Sequence, residues 1–76
     1  MPVQAYVLIR TRQGAAKRVA EALSRLEGCK AVSAVTGRYD VVMLVEAQDL
    51  QSLGALVLDR VHRTEGVERT ETAIVV

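Results

Sequence analysis

Apolar residues run almost unbroken from Val3 to Ile9, and between residues 15 and 27 they switch to a spacing of three and four. The first pattern, VQAYVLIRT over residues 3–11, predicts a β-strand, being rich in β-branched residues and poor in breakers. Val3, Ala5, Val7 and Ile9 share one face, Tyr6 and Leu8 the other. Apolar groups on both faces predict that both are covered. The second pattern, AAKRVAEALSRLE, predicts an amphipathic helix. Val19, Ala22, Leu23 and Leu26 form its apolar stripe, with Lys17, Arg18, Glu21 and Arg25 largely outside it. Gly28 follows as the residue that ends such a helix.

Two further strands are predicted over residues 30–36, KAVSAVT, and 40–47, DVVMLVEA. The short polar break between them predicts an antiparallel hairpin. Asp49 can cap a second helix over residues 49–63, whose core stripe is Leu50, Leu53, Val57 and Val61. Gly66 stops it, and VERTETAIVV over residues 67–76 predicts a last strand. That strand sets Glu68, Thr70, Thr72, Ile74 and Val76 on one face and Arg69, Glu71, Ala73 and Val75 on the other. EGCKAV after the first helix echoes EGVERT after the second. The order β-α-β-β-α-β predicts an α+β, ferredoxin-like sandwich, a four-stranded antiparallel sheet with both helices on one face. The second sheet face then carries Tyr6, Leu8 and apolar groups of the other strands. Such a face marks an interface, so two sheets are expected to pack face to face as a dimeric α+β barrel.

Composition sharpens this expectation. A chain of 76 residues forms one small domain over residues 1–76, and a core of that size is marginal without a disulfide, a metal or a partner. Cys29 is the single cysteine and His62 the single histidine, so neither a disulfide nor a His/Cys metal cluster is available, and no cofactor is expected. Homo-oligomerisation is the remaining source of stability. Ten Lys and Arg against nine Asp and Glu give a net charge of +1, which lacks the basic excess of a nucleic-acid surface. No apolar run is long enough to span a membrane. MPVQAYVLIR lacks the charged start of a signal peptide, so cytoplasmic residence is expected.

Candidate chemistry is sparse. Cys29 reads as a small buried hydrophobe at a helix C-terminus, where the dipole raises a thiol pKa. His62 reads as a surface or capping residue in the last turn of the second helix. TRQGAAK at residues 11–17 offers free N–H groups at a helix start, but a plain start explains it better. Asp40 and Asp49 flank a whole strand, so they sit at opposite ends of the sheet and do not form an acid/base pair. What remains is the polar turn Thr36-Gly37-Arg38-Tyr39-Asp40. Gly37 permits a positive φ and close approach of a ligand to backbone N–H groups. Taken alone the turn is better explained as structure, with Asp40 bonding its own turn and Arg38 solvated.

The stretch from Ala34 to Val76 is similar to the effector-binding (RAM) domain of the Lrp/AsnC feast/famine regulators. The similarity rests on the hairpin from Ser33 ending in TGRYD, on the D-L-x-x-L start at Asp49 to Leu53, and on Gly66-Val67 with Thr70 and Thr72 in EGVERTETAIVV. It extends over essentially all 76 residues. The resemblance implies a sheet-packed homodimer, assembled further into higher oligomers such as octamers, with a small effector, usually an amino acid, in clefts between dimers. By position it implicates Gly37, Arg38, Tyr39 and Asp40, with Thr70, Glu71 and Thr72, as ligand-binding residues. Arg38 is not fixed by the family pattern. The family's N-terminal helix-turn-helix has no counterpart in these residues, so the resemblance is to a stand-alone version. Direct DNA binding is not expected, and control of transcription or metabolism would pass through partners such as full-length Lrp/AsnC regulators. Two other classes share the architecture. A small dimeric barrel enzyme would need a titratable group in the sheet cavity, where only Tyr6 and Tyr39 qualify. A purely structural oligomerisation module needs only the apolar sheet face. An ACT-type domain has the same strand order, but TRQG matches its Gly-rich turn poorly.

Overall fold

The chain folds in the predicted order, as seen in a computed structural model that describes residues 2–76. Strands β1 (Val3–Thr11), β2 (Cys29–Ala34), β3 (Val41–Ala47) and β4 (Val67–Ile74) and helices α1 (Ala16–Ser24) and α2 (Leu50–Leu56) make up the fold. The sheet order is β2-β3-β1-β4, and every neighbouring pair is antiparallel. Each helix joins two strands that have a third between them, the split βαβ arrangement of a ferredoxin-like sandwich.

The alternation in β1 sets the layers. Ala5, Val7 and Ile9 are fully buried, as are Val41, Met43 and Val45 of β3 beside them. Val19 and Leu23 of α1 cover these residues, together with Leu53 of α2 and Val57 and Val61 beyond it. Burying a side chain such as Leu23 contributes about 1.5–3 kcal/mol, and the two helices close this one face only. On the other face Tyr6 is 46% exposed, and Leu8, Val42 and Leu44 are half-buried. The expectation that both faces of β1 are covered is therefore met on one side within a single chain.

Three local features differ from the pattern-based reading. Helix α1 stops at Ser24 instead of residue 27, because N–H to carbonyl bonds from Arg25 to Ala22 and from Leu26 to Leu23 tighten its end into turns of three. Cys29 consequently opens β2 instead of closing a helix; it packs half-buried against the core. Its thiol pKa is raised, as expected, but by burial and not by the helix dipole. Helix α2 widens after Leu56 into a π-helical segment, Val57–Val61, where His62 N–H reaches back to the Val57 carbonyl at 3.0 Å. Leu50 lies outside the stripe assigned to it, 57% exposed.

Asp49 does cap α2, its carboxylate accepting from Ser52 N–H at 2.8 Å. That bond holds the Asp49 pKa below its ordinary value, so its stabilisation is complete above the unfolded-state pKa. It is lost as the pH falls through the lower, folded-state value. Asp49→Ala is therefore expected to lower the melting temperature at pH 7, and the difference from the parent should close in strongly acidic buffer. Parallel thermal melts across that pH range check this.

Candidate functional site

The turn between β2 and β3 lies against the end of β1. Two ladder-like bonds seat it, Asp40 N–H to the Ile9 carbonyl at 2.8 Å and Val35 N–H to the Asp40 carbonyl at 2.9 Å. The Asp40 side chain does not bond its own turn. Its Oδ2 accepts from Thr11 N–H at 2.8 Å, 29 residues away in sequence. Asp40 is thus a pin between hairpin and β1, with one carboxylate oxygen committed. Hydrogen bonds to charged groups are worth about 1.5–3 kcal/mol. Asp40→Ala is expected to cost an amount of that order and to speed amide exchange at Thr11, with Asp40→Asn recovering part of it. Denaturant melts and hydrogen exchange measure both effects.

Gly37, at the tip, has φ +114°, and the space a Cβ would enter there is empty. The turn thus needs glycine for its backbone conformation alone. Among the described residues nothing lies within 4 Å of the position that a Cβ would take. Arg38 is exposed, and its carbonyl accepts from Arg10 Nη1 at 2.8 Å. The Tyr39 hydroxyl donates to the Glu71 carboxylate. With β1 between β3 and β4, this bond carries Tyr39 across β1 on the open face of the sheet. It also raises the phenol pKa, because the phenolate would lose the bond and face the Glu71 charge; Arg38 and Arg10 act in the opposite direction.

The β4 candidates divide by face, as their alternation predicts. Leu8 pairs with Glu71 and Arg10 with Arg69, so Glu71 and Arg69 stand on the open face near Tyr39. Ile9 pairs with Thr70 and Val7 with Thr72, so both threonines stand on the helix side. Thr70 Oγ1 shares a hydrogen bond with His62 Nε2, giving the histidine a partner that its position in the helix did not foretell. Thr72 lines an apolar groove of about 240 Å³ between α2 and β4 with Leu50, Leu53, Val57, Leu58 and Ile74. The structure therefore brings together Gly37, Arg38, Tyr39, Asp40 and Glu71 and separates Thr70 and Thr72 from them.

Arg10 and Thr11 were not among the candidates, although both bond the hairpin directly. Their signal is topological: the end of β1 must lie beside the β2–β3 turn once β1 pairs with β3. A broader groove, about 690 Å³, opens between the end of α1 and α2 and includes Arg25, Gly28, Glu46, Ser52 and Arg60. It contains none of the seven candidates, and two of its polar groups are already partnered, Glu46 by Gln4 and Arg25 by Glu21. Among the described residues no group of three or more His, Cys, Asp or Glu side chains is placed to hold a metal. No helix there is long and apolar enough to cross a membrane.

Residues 4–76 match the family described as the Lrp/AsnC ligand binding domain. An uncharacterized HTH-type transcriptional regulator of Pyrococcus abyssi is 31% identical over 72 residues, which are 95% of this chain and 46% of that protein. The chain thus spans about half the length of the curated relatives it matches. The crystal structure of TTHA0845 from Thermus thermophilus superposes with a TM-score of 0.91 at 39% identity, covering 97% of this chain and 92% of that one. The transcriptional regulator NMB0573 of Neisseria meningitidis, solved as a complex with L-Met, has the same fold. Its TM-score is 0.85 at 21% identity, over 97% of this chain and 49% of that one.

Proposed function

Since the chain belongs to the Lrp/AsnC ligand-binding domain family, we propose that it is a non-enzymatic sensor of an amino acid or a closely related metabolite. The carrying observation is the hairpin end. Gly37 leaves open space beside a backbone turn, and Arg10, Arg38, Tyr39, Asp40 and Glu71 gather cations, carboxylates and a phenol next to it. Those are the groups that a zwitterion requires. Backbone N–H groups at Gly37 hold the carboxylate, and the second oxygen of Asp40, or Glu71, accepts from the ammonium. The meningococcal regulator that shares this fold over 49% of its chain was solved as a complex with L-Met.

The sensor works as a homodimer and in higher assemblies such as an octamer, with open sheet faces packed together through Tyr6, Leu8, Val42 and Leu44. Thr70 and Thr72 face away from the hairpin site of their own chain. Their share in binding comes from a second copy, which makes the site a property of the assembly. Output passes to other proteins, such as full-length regulators of the family, within the cytoplasm and without direct DNA contact by this chain.

Calorimetric titration with each of the twenty amino acids tests the reading. Saturable heat with at least one of them is expected, weakened in Gly37→Val, which fills the empty space. Silence with all twenty would remove the proposal and leave an oligomerisation module.

A further inference from the structure

The open face of the sheet holds one arrangement that the fold alone does not explain. Arg10 and Arg69 are direct cross-strand partners in the β1–β4 ladder. Like charges at directly opposed positions repel across a Cβ separation of about 5 Å. Within the single chain both side chains are exposed, and neither has a carboxylate of the described residues within ion-pair distance; the ion pair among those residues is Arg25 with Glu21. Arg10 is also fixed in place, because one of its nitrogens donates to the Arg38 carbonyl at 2.8 Å. That bond aims the guanidinium at the hairpin and leaves its other N–H groups free.

Two carboxylates at this end are engaged elsewhere. Asp40 accepts from Thr11 N–H, and Glu71 accepts from the Tyr39 hydroxyl. On the open face at this end the register sets Arg10 and Arg69 beside Glu71, two positive charges minus one negative, which leaves one positive charge. A zwitterionic amino acid would leave that excess as it is. A ligand of net charge −1 would cancel it, and guanidinium groups bind carboxylates through paired N–H donors.

We propose that Arg10 and Arg69 form an anion subsite beside the hairpin, and that the effector is an acidic amino acid whose side-chain carboxylate lies between them. This rests on the reading of the hairpin end as the ligand site and narrows it to one ligand class. The uncharged amides, asparagine and glutamine, have nearly the same shape and serve as references.

The test is calorimetric titration of the full chain at low ionic strength with L-glutamate, L-aspartate, L-glutamine and L-asparagine, repeated on Arg69→Gln and on Arg25→Gln at the far end of the sheet. At least one acid should bind about ten-fold or more tightly than its amide. The preference should vanish in R69Q and persist in R25Q. Equal binding of acid and amide, or a preference that survives R69Q, overturns the anion subsite while leaving an amino-acid site intact. Heat from none of the four, together with saturable binding of another amino acid, also overturns the subsite alone. Silence across all amino acids overturns the functional reading itself. Sedimentation of R69Q without ligand closes the remaining route: a smaller species than the parent would mean that a partner subunit's carboxylate neutralises the pair, which contradicts a ligand subsite.

Discussion

Leu44→Glu is expected to convert the proposed sheet-to-sheet dimer into monomers. Leu44 lies mid-face on the open side of the sheet, paired with Tyr6 on β1 and Ala31 on β2. In a face-to-face dimer it has no route to water. A carboxylate placed there would be buried without a partner, which costs several kcal/mol, and the two-fold axis of a dimer applies the cost twice. The fold of each chain should survive, because the core that closes it lies on the other side of the sheet, around Val7, Met43 and Leu23. Sedimentation equilibrium should show the loss of mass and circular dichroism the retained secondary structure. Gln51→Glu, on an exposed position of α2, should leave the assembly unchanged. An unchanged mass for L44E would mean that the chains associate through another surface.

Gly66→Ala is expected to be among the most damaging methyl additions in the chain, alongside Gly28→Ala, whose Cβ would meet the Glu46 carbonyl oxygen at 2.9 Å. Gly66 has φ +98°, and a Cβ there would lie 2.9 Å from Val19 Cγ2 and 3.2 Å from Ala15 Cβ. Its carbonyl accepts from Arg12 N–H at 2.7 Å, so the backbone cannot easily retreat. The left-handed conformation costs an L-residue about 1–2 kcal/mol, and overpacking a tight site costs about 1–3 kcal/mol more. A loss of about 2–5 kcal/mol is a large share of the stability of a domain this small. Gly37→Ala carries the conformational cost without the collision, since its surroundings are empty. It should cost about 1–2 kcal/mol. Urea unfolding of both variants gives the comparison, and a G66A variant as stable as G37A would show that the packing around α1 is looser than described.

These expectations depend on how much of the molecule is legible in its sequence. The β1 alternation and the helical stripe through Val19 and Leu23 were readable, because burial on one face imposes a period on the chain. The alternation in β4 likewise separated Thr70 and Thr72 from Glu71. It could not say which set faces the helices, since both sets start polar and end apolar; the register with Val7 and Ile9 decides that. Asp40 was read as a turn residue because its partner, Thr11, lies 29 positions away. The π-helical widening at Val57–Val61 left no local signal, as it depends on how the end of α2 meets the sheet. The pairing of Arg10 with Arg69 becomes visible only when the strand order is known, and the proposed preference for an acidic ligand rests on it.

The central claim is that an amino acid binds at the hairpin end. Amide chemical-shift mapping during titration with the tightest-binding amino acid tests it most directly. The account predicts saturable shifts concentrated at Gly37 to Asp40, Arg10, Thr11 and Arg69 to Glu71. Shifts confined instead to Arg25 to Gly28 and Ser52 to Arg60, around the groove at the other end of the sheet, would contradict it.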